Sequence, residues 1–342
     1  MNFTLLDGTI INNNTQPYFI AELNTSHFGD VELAKEMILK AKEIGVDCVK
    51  FQSWTPETLY SQTYYLENPI AKRFVKKYSL NNEQLKELAV FCSDNGIGFA
   101  STPYSEQEVD FLLHECNPKF IKVASMELNN LQFLEYIGKT GAPIVLSTGM
   151  GSEEEIVRAV NTIRNTGNEN ICILHCVSIY PAPDELVNLN YISRLKSLFP
   201  EQAIGYSDHT EDDIAPLASV ALGACLIERH FTLDNKKIGM DNQMSTEADE
   251  FEKIVSKCKN LKTVLGEAKR EVTPEEFEQR ANMRRSIVAT QEIKEGQMIT
   301  KDLICAKRPG TGLSVDKFTS VVGKKVNKDI QKDCVIFESD IV

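Results

Sequence analysis

No stretch of this 342-residue chain comes near the roughly 20 consecutive apolar residues of a membrane-spanning helix, so no membrane partner is expected. The opening MNFTLLDGTIINNN has neither a basic start nor an apolar run behind it, which argues against a secretory signal and makes the cytoplasm the expected compartment. Paired cysteines are lacking too. The nine are odd in number, include no Cys-x-x-Cys, and mostly lie in apolar runs such as VDCVKF, ICILHC and GACLIE. There a reduced thiol acts as a small buried hydrophobe, and neither a disulfide framework nor a cysteine zinc site is expected. Positive charge is scarce: 37 Lys and Arg face 49 Asp and Glu, a net −12 that argues against nucleic acid as a partner. An anionic small molecule needs a locally basic pocket.

What the chain has is an alternation. Eight short apolar runs, YFIAEL, VDCVKFQ, IGFAS, KFIKVAS, PIVLS, ICILHC, AIGYS and CLIERH, are separated by amphipathic patterns. VELAKEMILKAKEIG puts Leu33, Met37, Ile38, Ala41 and Ile44 on one helical face, between Asp30 as N-cap and Gly45 as terminator. Ser105 with Glu108, and Ser152 with Glu155, have capping-box spacing. Eight such repeats imply a (β/α)8 TIM barrel over residues 1–265, with residues 53–80 as a long loop on its catalytic face. Residues 266–284 read as a charged linker in which Thr273-Pro274-Glu275-Glu276 starts a helix. Residues 285–342 lose the helical period and read as a small, mostly β domain, marginal in size by itself and expected to dock.

In a barrel the C-terminal strand ends carry the active site. Those ends offer Glu22, Lys50 with Gln52, Ser101 with Thr102, Lys122 with Ser125, and Ser147. After these come His175, Ser178 and Tyr180, then Ser207, Asp208 and His209, and finally Glu228 with His230. Two lysines in a barrel mouth are costly unless they face an anion, and with the serines they suit a phosphate and a carboxylate. Lys50 and Gln52 share one strand face. His209 and His230 end neighbouring strands, where two imidazoles can hold an octahedral Mn²⁺ or Mg²⁺ or simply bond to each other. His114 falls on a helix pattern and is expected at the surface.

AELNTSHFG, VKFQSW, FASTPYS, IKVASMELNN, VLSTGM, LHCVSIYPAP, GYSDHT and IERHFTLD resemble, in order and spacing, the motifs of the sialic acid synthase family. KRPGTGL and VVGKK resemble that family's C-terminal antifreeze-like (SAF) domain. The resemblance implies an enzyme that joins phosphoenolpyruvate to an N-acetylated amino hexose. That sugar would be N-acetylmannosamine or a 2,4-diacetamido-2,4,6-trideoxyhexose. It further implies phosphoenolpyruvate bound by Lys50, Thr102, Lys122, Ser125 and Ser147, with Ser178 and Ser207 close by. Gln52, Tyr180, Glu228 and Asp241 would face the sugar, with Glu22 as the acid–base residue. His209 and His230 would hold a divalent metal, usually manganese, with Mg²⁺ or Co²⁺ as alternatives. The protein would be a homodimer, the small domain of one subunit covering the other's barrel and bringing Arg308 to the N-acyl group.

The departures from the motifs lie on the sugar side. Ser26-His27-Phe28-Gly29 lacks the Asn usually found before the His, and Gly239-Met240-Asp241-Asn242 replaces a stretch with Pro and His. Ile179 and Ser178 also differ from several members. Two rival readings are a metal-dependent barrel hydrolase, for which Ala21-Glu22-Leu23 lacks the His pair, and a non-catalytic sugar-binding protein.

Overall fold

The eight runs form eight parallel strands: β1 (Tyr18–Glu22), β2 (Cys48–Ser53), β3 (Gly98–Pro103), β4 (Ile121–Val123), β5 (Ile144–Ser147), β6 (Ile171–Cys176), β7 (Ala203–Asp208) and β8 (Leu226–Thr232). Each pairs with the next, and β8 pairs with both β7 and β1, so the sheet closes into a barrel. The computed structural model describes residues 2–342 and divides them into two units, one ending at Gly266 and the other spanning Glu267–Val342. Among the described residues no helix is long and apolar enough to cross a membrane.

Strand parity sorts every side chain. Phe19, Ala21, Val49, Phe51, Ile121, Val123, Leu146, Ile173, Ile204 and Ile227 face outward, against the helices. Those helices include α1 (Val31–Glu43), α2 (Asn82–Asp94), α3 (Glu106–Phe111), α4 (Leu131–Lys139), α5 (Glu153–Arg164), α6 (Asn190–Leu198), α7 (Ile214–Ala221) and α8 (Ala248–Leu265). Asp30 caps α1 by accepting from Glu32 and Leu33, and Gly45 ends its turn at φ +84°. Ser152 and Glu155 close a full capping box, whereas Ser105 accepts from the Glu108 N–H at 3.3 Å while the Glu108 carboxylate accepts from Tyr104 N–H and Thr58 Oγ1.

Ile20, Cys48, Ala100, Val145, Cys172, Leu174, Ala203 and Leu226 fill the lower interior. A hairpin of Phe3–Thr4 with Ile10–Ile11 plugs that end, adding Phe3, Leu5 and Ile11 to the same cluster. Asn170 clamps it, accepting from Thr4 N–H at 3.0 Å and donating to its carbonyl at 2.6 Å. Burial of each large side chain here contributes about 1.5–3 kcal/mol.

Residues 53–80, expected as a loop, instead form three short helices, Pro56–Leu59, Gln62–Glu67 and Pro69–Tyr78. Thr55 and Ser61 cap the first two, and Pro56 and Pro69 open theirs. Trp54, Tyr65, Val75 and Tyr78 give the insertion its own small core, backed by Phe28, Leu59 and Tyr104.

The second unit starts with α9 (Pro274–Met283), capped by Thr273, inside the stretch read as a linker. β9 (Ser286–Ala289) pairs antiparallel with β10 (Ile304–Lys307), and single bridges such as Ile293 to Ile330 extend the β character. Ile287, Ile293, Ile299, Leu313, Val326 and Ile336 are buried together at its centre. All nine cysteines are free thiols.

Candidate active site

The inward parity that stacks apolar side chains below delivers ionisable ones above. Glu22 lies opposite Lys50 on β2 and His230 on β8, and Glu228 lies opposite Ser207 on β7. All four ionisable groups are buried. Lys50 pairs directly with Glu22, donates to Thr102 Oγ1 at 3.1 Å, and lies 3.9 Å from Glu228. Lys122 donates to Ser147 Oγ at 2.7 Å and lies 3.6 Å from Glu228. Glutamate and lysine therefore alternate across the floor, because a buried charge is tolerable only beside its opposite.

These groups floor a cavity of about 360 Å³. Its walls include Gln52, Thr102, Ser125, Ser147, Ser178, Tyr180, Ser207, His209, His230 and Asp241. The barrel residues that the family resemblance assigns to substrate or metal thus meet in one place. Arg308 belongs to the second unit, in the exposed turn after β10. Three strand-end residues face the other way. His175 lies on the helix side, its Nε2 2.6 Å from the Val187 carbonyl and its ring stacked on Tyr206. Asp208 points there too and pairs with Arg229, while Ser101 bonds Ser53 at 2.6 Å. His114 is exposed.

Gly149, between Ser125 and Ser178, has no room for a side chain: a Cβ would come within 2.2 Å of Ser178 Oγ and 2.9 Å of Ser125 Oγ. Its N–H donates to Ser125 Oγ at 3.0 Å, which aims that hydroxyl. Burial pushes Lys50 down to about 7, with Lys122 adding to the shift and Glu228 resisting it. Burial opposes the charge of Glu228 as well, but Lys122, Lys50 and His209 outweigh it and hold the carboxyl below its usual range. Burial, then the positive neighbours led by His209, keep His230 well below the ordinary imidazole value. Burial raises Asp241.

The His209 and His230 rings lie 5.5 Å apart between centroids. His209 Nδ1 is 2.8 Å from the Val177 carbonyl, which places a proton there and leaves Nε2 with its lone pair. His230 Nδ1 is buried without a partner. Among the described residues no three His, Cys, Asp or Glu side chains are grouped to enclose an ion. Burial works against the charge of His209, but Cys176 and the Val177 carbonyl outweigh it and raise its imidazole. Once that second proton is given up, two imidazoles with open positions would fit an octahedral divalent cation completed by water and substrate oxygens.

Several lining residues escaped the sequence: Asn24, Trp54, Tyr60, Tyr104, Cys176 and the methionines Met126 and Met150. Cys176 was legible, since it shares inward parity with Leu174, as Lys50 does with Gln52. Tyr104 donates to Gln52 Oε1 at 3.0 Å, a contact across two strands that no local pattern signals.

Comparison with known proteins extends over the whole chain. The model of the NeuB family matches residues 37–270, and that of the SAF domain matches 284–342. The N,N'-diacetyllegionaminic acid synthase of Campylobacter jejuni is 36% identical over 93% of this chain and 98% of its own. The human N-acetylneuraminate-9-phosphate synthase is 34% identical over 99% of this chain and 96% of its own. A crystal structure of N-acetylneuraminic acid synthetase from Leptospira borgpetersenii, 32% identical, superposes with a TM-score of 0.74 over 81% of this chain and 95% of that one.

Proposed function

We propose, for a chain that belongs to the NeuB family, that it joins phosphoenolpyruvate to an N-acetylated amino hexose, taking up water and releasing phosphate. Membership makes it an enzyme, an acid synthase of the transferase class. The observation that carries the reading is the floor itself: two buried lysines with hydroxyl partners, beside a buried glutamate and facing two imidazoles.

An ammonium has three donors. Lys122 directs two of them to Ser147 and the Val123 carbonyl at 3.3 Å, which leaves one for an anion. Lys50, Lys122, Thr102, Ser125 and Ser147, with Ser178 and Ser207 nearby, would hold the phosphate and carboxylate throughout, a preorganised field rather than one built during reaction. C3 of phosphoenolpyruvate forms a bond to the aldehyde carbon of the open-chain sugar, whose oxygen takes a proton from the Glu22 carboxyl. Water adds to the cationic C2 and returns one proton to Glu22. The C2–O bond then breaks, phosphate leaves with that oxygen and takes up the remaining hydroxyl proton, and C2 becomes the ketone. A divalent cation held by His209 and His230, manganese in our reading with Mg²⁺ or Co²⁺ as alternatives, would supply Lewis acidity at the aldehyde oxygen.

Gln52, Tyr180, Glu228 and Asp241 would face the sugar. Trp54, Leu59, Met150 and Met240 add apolar surface to the cavity lining, which suits a deoxy sugar and favours the 2,4-diacetamido-2,4,6-trideoxyhexose over N-acetylmannosamine. In our reading a second copy lays its SAF unit, with Arg308, over the mouth. The test is to mix the protein with phosphoenolpyruvate, Mn²⁺ and each sugar, following phosphate and product mass. Phosphate release with the diacetamido sugar is expected. Release with neither sugar, from folded and metal-loaded protein, overturns the reading.

A further inference from the structure

The two segments that depart from the family motifs, in the loops after β1 and β8, touch each other. Asn24 donates its side-chain amide to the Asp241 carboxylate. Asn24 stands two residues before the first segment, which runs from Ser26 to Gly29. Within it Phe28 packs against the second: a Cβ on Gly239 would come within 3.1 Å of the Phe28 ring and 2.9 Å of Asn242 Cβ.

The β8 side of this contact is a fixed post. Asn242 is fully buried, accepts from Thr232 Oγ1 at 2.6 Å, and donates to the Asp234 and Lys237 carbonyls at 2.8 Å each. Ser245 Oγ donates to the Asp241 carbonyl at 2.8 Å. Asp241 is thus presented by a loop knitted from within.

The β1 side is where the reacting carboxyl sits. The backbone N–H of Asn24 donates to Glu22 Oε1 at 2.8 Å, and Gln52 Nε2 lies 3.5 Å from the same oxygen. Asn24 makes that bond from the left-handed region, at φ +38°, which Asn tolerates better than other residues with a side chain. One residue therefore holds Glu22 with its backbone and the β8 loop with its side chain.

We propose that Asn24 is a positioning residue, aligning Glu22 from the loop that carries Asp241, so that this loop tunes both sugar recognition and the acid–base step. The proposal rests on the reaction proposed above. Its consequence is that the sugar side and Glu22 cannot be altered separately in this chain.

Asn24→Gly keeps the left-handed backbone and the N–H to Glu22 but removes the amide. It is expected to raise the amino-sugar KM about tenfold and lower kcat about tenfold, with the phosphoenolpyruvate KM within twofold and the melting temperature unchanged. Gly239→Ala, which pushes the loop off Phe28, should move the same parameters in the same direction. Asn24→Asp sets carboxylate against carboxylate and should be worse. Combining it with Asp241→Asn reverses donor and acceptor and should recover at least tenfold in kcat/KM for the sugar over Asn24→Asp alone. Wild-type sugar kinetics in Asn24→Gly, or a double variant no better than Asn24→Asp, overturns the proposal. Amide exchange separates it from the reaction: Asp241→Ala should speed exchange at the Asn24 N–H about tenfold, whether or not phosphate is ever released. An unchanged rate there overturns the clasp, whereas absent phosphate release in the wild type overturns only the reaction.

Discussion

The lower and upper halves of the barrel interior are made by the same eight strands at the same inward positions, yet they solve opposite problems. Below, Ile20, Cys48, Val145, Leu174 and Leu226 exclude water under the plug of Phe3, Leu5 and Ile11. Two residues further along the same strands stand Glu22, Lys50, Ser147, Cys176 and Glu228. The dry half holds the strands in a fixed register, and that register alone sets Lys50 between Glu22 and Glu228. Hydrogen bonds from Asn24 N–H to Glu22, from Lys50 to Thr102 and from Lys122 to Ser147 then orient the paired charges. The comparison teaches that stability and chemistry are separated here by height in the barrel rather than by element.

That separation can be broken from either end. The largest effect is expected at Glu22. Glu22→Gln keeps the shape and should lower kcat about 10³–10⁴-fold while substrates still bind, measured by steady-state phosphate release and calorimetry. Near-normal turnover would remove Glu22 from the mechanism. Lys122→Met comes next. It removes one donor to the phosphate, and the phosphoenolpyruvate KM should rise about 10²-fold, in line with the several kcal/mol that losing a buried charge partner costs. From the dry end, Phe3→Ala should cost about 3–5 kcal/mol in denaturant unfolding yet leave kcat unchanged in the folded protein. A fall in kcat there would show that the halves are not independent.

A pH-dependent effect sharpens the contrast with the third environment, between strands and helices. His27 packs against Phe51 there, and burial pushes its imidazole down to about 4. In the unfolded chain it protonates near 6.5, so the unfolded state binds more protons between those values. Its contribution is therefore complete above about pH 6.5 and is lost as the pH falls towards 4, by about 3 kcal/mol. His27→Gln should flatten that part of the stability profile, read from denaturant midpoints between pH 7 and 4.

The ring of strands and its floor were readable because both rest on a period of two. Lys50 with Gln52, and Lys122 within KFIKVAS, follow from that rule, and applied throughout it also admits Cys176 and turns His175 outward. The helices at 56–78 carried local signals in Thr55-Pro56, Ser61 and Asn68-Pro69, but each is too short for an apolar period to emerge. Asn24 was not legible, because its partner lies 217 residues away and its role depends on a backbone angle. The small unit reads as β although only two runs are continuous strands, since single bridges leave no alternation to count.

The pairing of Glu22 with His230 has a consequence for how the molecule is made. β1 emerges from the ribosome before the other seven strands, but one of its edges stays open until β8 has been synthesised. The plug waits as well, though less long, since its ties are to Lys119, just before β4, and to Asn170, just before β6. A nascent chain halted before Leu226 would hold both lysines and neither Glu228 nor His230, with two unpaired sheet edges prone to stick to other chains. Competence should therefore arrive late and all at once, which makes the onset of activity during synthesis or refolding a clock for ring closure.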